Sequence, residues 1–225
     1  MTWVKICGIT NLEDALVAVD AGADAVGFVF YKKSPRNVAA DMVREIVRTL
    51  PPRVEKVGVF VDHDSEHIRE QAVKAGLTAV QLQGSTSQES VWNDPRPATE
   101  CVGVSKIIAA IQGDSLKEGS GIGVRRGVRE TIFAFLLDSH YNGSPGGTGT
   151  TFDWEGTQIM ARALGLIAPI IVAGGLTALN VPKALEIFQP FGVDVASGVE
   201  AKPGKKDPGK VRAFIAAVCG AEQKI

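Results

Sequence analysis

Apolar residues along the chain fall into short β-branched runs that alternate with stretches of helical periodicity. The short runs predict strands over Val4–Ile9, Ala25–Phe30, Lys56–Val61, Ala79–Gln83, Lys106–Ile111, Phe133–Ser139, Pro169–Ala173 and Val193–Ser197. Helices are predicted between them. Asn11–Ala21 follows Thr10, an expected N-cap, with Glu13 placed as in a capping box. Ala40–Leu50 stops at Pro51-Pro52, and Ser65–Ala75 stops at Gly76. Thr177–Phe188 ends before Pro190, and Asp207–Cys219 closes the chain. Over Ser85–Glu118 the pattern weakens. Pro95 and Pro97 break any fourth helix, and Gly113, Gly119, Gly121 and Gly123 loosen the fifth.

One local device is spelled three times: Ala21-Gly22-Ala23-Asp24-Ala25-Val26, Ala75-Gly76-Leu77-Thr78-Ala79-Val80 and Phe191-Gly192-Val193-Asp194-Val195. In each, a glycine able to turn left-handed after a helix precedes a buried strand. From Cys7 to Ser197 the strand ends recur about every 27 residues, close to one βαβ repeat. Strict alternation of strand and helix predicts α/β architecture, a single (β/α)₈ barrel domain over residues 1–225.

Composition then narrows the function. The 225 residues include 24 basic and 25 acidic side chains, for a formal net charge of −1. No general field favours nucleic acid or an anionic membrane, so neither is an expected partner. Cys7, Cys101 and Cys219 are odd in number and widely spaced, which argues against a disulfide framework or a zinc site. His63 and His67 share helical spacing among Asp62, Asp64 and Glu66, and are expected in a solvated loop and helix start. No apolar stretch reaches membrane-spanning length, and the N-terminal sequence lacks the regions of a signal peptide. A cytoplasmic protein, monomer or homodimer, is expected.

In a barrel, chemistry gathers at the C-terminal ends of the strands. Three small-residue segments there have the character of phosphate cradles: Gly147, Thr148 and Gly149 after the sixth strand, Gly174 and Gly175 after the seventh, and Ser197 and Gly198 after the eighth. A small phosphorylated metabolite is the expected ligand. Lys5 and Cys7 share one face of the first strand, so the cation is expected to draw the thiol toward thiolate unless desolvation wins. Cys7 equally suits a core filler. Asp138 ends the apolar run Phe135-Leu136-Leu137, where burial is expected to raise its pKa as a general acid requires; a structural hydrogen bond is the alternative. Arg36, beside Pro35 in the second βα loop, is placed to grip a carboxylate or simply to face solvent.

Together these segments resemble the signatures of the phosphoribosylanthranilate isomerase family: Lys5-Ile6-Cys7-Gly8-Ile9-Thr10, Gly27-Phe28-Val29-Phe30 with Ser34-Pro35-Arg36, Gly58-Val59-Phe60-Val61, Leu137-Asp138-Ser139, Gly146-Gly147-Thr148-Gly149 with Phe152-Asp153-Trp154, Ala173-Gly174-Gly175-Leu176, and Asp194-Val195-Ala196-Ser197-Gly198-Val199-Glu200. The resemblance runs through nearly the whole chain in order. It implies an Amadori rearrangement in tryptophan biosynthesis, converting N-(5-phosphoribosyl)anthranilate to its 1-deoxyribulose isomer. It implies Asp138 as general acid and Cys7 as general base, with Arg36 on the anthranilate carboxylate and Gln83 and Asp194 in the substrate site. No redox step occurs, so no cofactor or metal is implied. Gln83 stands where the family usually has histidine; it can donate a hydrogen bond but cannot carry a proton at neutral pH. Two other readings stay open. One is a related aminoaldose isomerase of histidine biosynthesis, the other a non-catalytic phosphate-binding barrel.

Overall fold

The computed structural model describes residues 1–94, 97–112, 131–138 and 153–222. Its strands are β1 (Trp3–Cys7), β2 (Ala25–Phe30), β3 (Glu55–Val61), β4 (Ala79–Gln83), β5 (Lys106–Gln112), β6 (Ile132–Asp138), β7 (Ile170–Val172) and β8 (Gly192–Val195). Each pairs with the next, and β8 returns to β1, so these eight close into one barrel. The β8–β1 seam is parallel, with Trp3 opposite Gly192 and Lys5 opposite Asp194. The predicted (β/α)₈ architecture is the observed one.

Alternation sorts the strand residues onto two faces. Ala25, Val57, Ala79, Ile108, Leu136 and Ile171 form a core of their own inside the barrel. Val26, Phe28, Phe60, Leu82, Phe135 and Val193 belong to the larger core between barrel and helices. Because both faces are covered, the strands read as nearly continuous apolar runs. A polar residue on the inner face is therefore conspicuous.

The helices follow the predicted pattern, with differences at their starts. In α1 (Leu12–Ala21) the N-cap is Asn11, whose side chain accepts the Asp14 N–H. Thr10 does not cap it: its hydroxyl donates to the Gly204 carbonyl, a partner from the far end of the chain. Helices α2 (Ala40–Thr49) and α3 (Ser65–Ala75) lie where predicted. His63 is half-buried in the loop before α3, its ring within 3.1 Å of the Phe30 carbonyl, and His67 lies in the helix. In place of one helix there are two short pieces, α4 (Ser85–Trp92) and α5 (Ala98–Val102), with Pro97 at the N-cap of the second. The loosened fifth helix lies outside the described residues. After α6 (Trp154–Gly165), α7 spans Val181–Phe188 and so starts four residues later than predicted. The side chain of Asn180 holds Thr177–Asn180 as a turn by accepting the Thr177 N–H and donating to the Gly175 carbonyl. The last helix, α8 (Pro208–Glu222), begins where Asp207 accepts the Gly209 and Lys210 N–H groups. Among the described residues, no helix is long and apolar enough to cross a membrane.

Two of the three glycine echoes do what their spelling predicts: Gly22 and Gly76 are left-handed, with φ of 105° and 71°. The third does not. After α7 the left-handed residue is Gln189, with φ 44°, and Gly192 already belongs to β8. Glycine is needed there for space, because a Cβ would lie 2.7 Å from the Trp3 carbonyl oxygen across the closing seam.

Candidate active site

Lys5 and Cys7 both point into the barrel from β1, and both are buried. The Lys5 ammonium donates to Asp194 Oδ1 at 2.8 Å and to Gln81 Oε1 at 3.0 Å. Burial alone would lower the Lys5 pKa, but Asp194 and the neighbouring Cys7 outweigh it, so Lys5 is held charged. At Cys7 the balance goes the other way. Burial pushes the thiol up more than Lys5 pulls it down, and Asp194 adds to the rise. Of the two outcomes allowed for Cys7, desolvation wins. Lys5 is committed to the Asp194 carboxylate, and its pull together with that of Lys206 does not offset the cost of burying the thiolate. Gly27 makes the cluster possible: a Cβ there would come 2.8 Å from Cys7 Sγ and 3.1 Å from Lys5 Cε.

Asp138 ends β6 on the inner face, continuing from Ala134 and Leu136, and is partly exposed. Gln83 ends β4, half-buried, and its Oε1 lies 3.5 Å from Gln81 Nε2. Cys7, Gln83 and Asp138 thus occupy the C-terminal ends of three inner faces of one barrel. After β7, Gly174 and Gly175 are both left-handed, with φ of 82° and 63°. After β8, Ser197–Val199 forms one 3₁₀ turn. There Gly198 lies against the previous βα loop so closely that a Cβ would sit 1.9 Å from the Leu176 carbonyl oxygen. The glycines at 147 and 149, and Thr148, lie outside the described residues.

Gly198→Ala is therefore expected to separate the loops after β7 and β8. Overpacking of this kind costs about 1–3 kcal/mol. The thermal unfolding midpoint should fall; a variant with an unchanged midpoint would mean that the junction yields without cost.

Arg36 is buried, not solvated. Its Nε donates to Glu200 Oε1 at 2.8 Å and its Nη2 to Oε2 at 2.6 Å, a bidentate pair. Gly8, left-handed at φ 76°, gives it room, since a Cβ there would meet Arg36 Cδ at 2.6 Å. Glu200 opens a small antiparallel hairpin of β9 (Glu200–Lys202) and β10 (Lys205–Lys206). Lys206 Nζ donates to Glu200 Oε1 and to the Ala196 carbonyl, both at 3.0 Å. Desolvation favours the neutral Glu200 acid, but Arg36 and Lys206 outweigh it and hold the carboxyl below its ordinary range.

Sequence reasoning assigned no role to Gln81, Glu200 or Lys206. Gln81 and Gln83 alternate within an apolar strand, a period-two polar signal on an otherwise dry face. No local signal marks Glu200 as the partner of Arg36, 164 residues away.

A closed parallel barrel whose thiol, carboxyls and paired cations gather at the carboxyl ends of its strands defines a (β/α)₈-barrel enzyme. Residues 4–217 match the family model of N-(5'-phosphoribosyl)anthranilate isomerase, and the chain belongs to that family. A relative of that name from Geotalea uraniireducens is 44% identical over 215 residues, covering 96% of this chain and 97% of the relative. The crystal structure of phosphoribosyl anthranilate isomerase from Thermotoga maritima superposes with a TM-score of 0.78 at 38% identity, covering 98% of this chain and all of that one. A solved isomerase in complex with reduced 1-(o-carboxyphenylamino)-1-deoxyribulose 5-phosphate superposes with a TM-score of 0.74 at 37% identity, with the same coverage.

Proposed function

We infer that this chain is the isomerase of tryptophan biosynthesis that converts N-(5'-phosphoribosyl)anthranilate to 1-(2-carboxyphenylamino)-1-deoxyribulose 5-phosphate. The match to the family over residues 4–217 carries the reading. Cys7 and Asp138, on the inner faces of β1 and β6, fit the acid–base chemistry it requires. Asp138 as acid protonates the furanose ring oxygen, and the C1–O bond breaks to leave an iminium at C1. The Cys7 thiolate then removes the acidified proton from C2, giving an enolamine. C1 takes up a proton from the thiol, the C2 hydroxyl returns one to the Asp138 carboxylate, and the ketone results. Both groups end as they began, and no electron is gained or lost. The iminium also supplies the positive charge that a buried thiolate needs beside it.

The phosphate is read as lying at the loops after β7 and β8, on backbone N–H groups at Gly175 and Gly198 and in the segment holding Gly149. Two left-handed glycines and a 3₁₀ turn in van der Waals contact support this placement. Barrels commonly hold phosphate there. Arg36 is read as the anchor of the anthranilate carboxylate, and Gln83 as a hydrogen-bond donor at the rim. Asp194 contributes by holding Lys5 beside Cys7. An assay following loss of the substrate's anthranilate fluorescence on purified protein tests the whole reading: turnover supports it, and its absence with intact substrate overturns it.

Arg36→Met is expected to raise KM more than it lowers kcat, because an anchor remote from the breaking bond acts mainly as uniform binding. Steady-state kinetics separate the two. A fall in kcat alone would assign Arg36 to the chemical step.

A further inference from the structure

We propose that Glu200, held from behind by Lys206, is a positioning residue for Arg36 that sets its guanidinium before substrate binds. The inference rests on the reading of Arg36 as the carboxylate anchor.

An arginine on a βα loop ordinarily samples many rotamers, and each must be given up when a ligand binds. Here that freedom is already gone. Glu200 takes Nε and Nη2 together at 2.8 and 2.6 Å, so the plane of the guanidinium is set before any ligand arrives. Gly8 lets the side chain lie flat against the end of β1, and Gly204 brings the hairpin turn onto the same loop: a Cβ on Gly204 would come 3.0 Å from the Pro35 carbonyl oxygen. Glu200 is itself fixed from behind. Lys206 Nζ and the Gly204 N–H both reach its Oε1. Lys206 in turn is tied to the Ala196 carbonyl at the end of β8 and, through its backbone N–H, to Asp14 Oδ2 in the first turn of α1. The hairpin thus links the ends of β1, β2 and β8 through one carboxylate.

The test uses two ligands on the full-length protein: the reduced carboxyphenylamino-deoxyribulose phosphate and its phenylamino counterpart without the carboxyl. Glu200→Gln keeps the shape but turns an amide N–H₂ toward Arg36 or Lys206, donor against donor. It is expected to weaken the carboxylated ligand about tenfold to a hundredfold, the scale of misplacing one positioned group. The other ligand should bind as before, and KM should rise with kcat largely held. The Arg36→Met, Glu200→Gln double variant should be no weaker than Arg36→Met alone. Glu200→Asp keeps the charge but not the reach, and is expected to show a smaller loss of the same carboxylate-selective kind. Equal weakening of both ligands by the Glu200 variants, a further loss in the double variant, or failure of both Glu200 variants to fold would make Glu200 a purely structural residue and overturn the proposal. Arg36→Met measured alone isolates the underlying reading: if it weakens both ligands equally, Arg36 is not the anchor and the proposal falls with it.

Discussion

Cys7→Ala is expected to fold into the same barrel and to lose about 10²–10⁴-fold in turnover, the usual contribution of a positioned base. Alanine keeps the Cβ and removes only the sulfur, the atom proposed to accept the proton. The residue is buried on the inner face of β1, above a core built largely of small and aliphatic side chains, so the loss of one sulfur leaves a small gap. The pH dependence has a definite sign. Burial raises the Cys7 pKa more than Lys5 lowers it, so at neutral pH the free enzyme holds mostly thiol, and the thiolate fraction grows as pH rises. The quantity kcat/KM reports the free enzyme. On the Cys7 limb it should therefore climb with pH for as long as the acid stays protonated. Circular dichroism together with steady-state kinetics would check both halves. Near-normal turnover in a folded variant would falsify the assignment of Cys7 as the base.

Asp138→Asn is expected to abolish a comparable share of turnover, again about 10²–10⁴-fold, while product affinity stays nearly unchanged. The amide has the same size and still donates a hydrogen bond, but it has no acidic proton for the ring oxygen. The position supports the role: Asp138 closes the inner face that Ala134 and Leu136 begin, at the carboxyl end of β6. In the proposed mechanism ring opening precedes proton removal, so losing the acid would stop the reaction before Cys7 has a substrate to act on. With a base that must be deprotonated and an acid that must be protonated, kcat/KM should trace a bell, and the values at its limbs belong to the pair. In Asp138→Asn the limb due to the acid should disappear. Product affinity measured beside turnover separates the possibilities. Joint loss of both would mean that Asp138 holds the shape of the site, and full turnover would mean that another group is the acid.

The barrel was legible because its information is local. Each strand is a short apolar run, and helix stops such as Gly22 and Gly76 carry a conformation that glycine reaches without steric cost. The differences arise where a distant partner competes with the local one. Thr10 would cap α1 by spacing alone, but the Gly204 carbonyl claims its hydroxyl and Asn11 takes the cap. Gly192 reads as another helix stop, yet it is needed because the closing seam passes against Trp3.

The same division holds at the site. The sequence by itself determined which residues reach the carboxyl ends of the strands, since period-two alternation puts Lys5 and Cys7 on one face and Asp138 on the face of Leu136. It also marked the small-residue segments after β7 and β8. Only the tertiary structure decided the charge states and the pairings. Whether Lys5 activates Cys7 depends on Asp194, which barrel closure brings opposite Lys5. Whether Arg36 is loose or set depends on Glu200, which the hairpin after β8 delivers from the other end of the chain. Alternation follows from the local geometry of each residue, but a pKa or an ion pair follows from burial and from neighbours, and neither exists until the chain has closed.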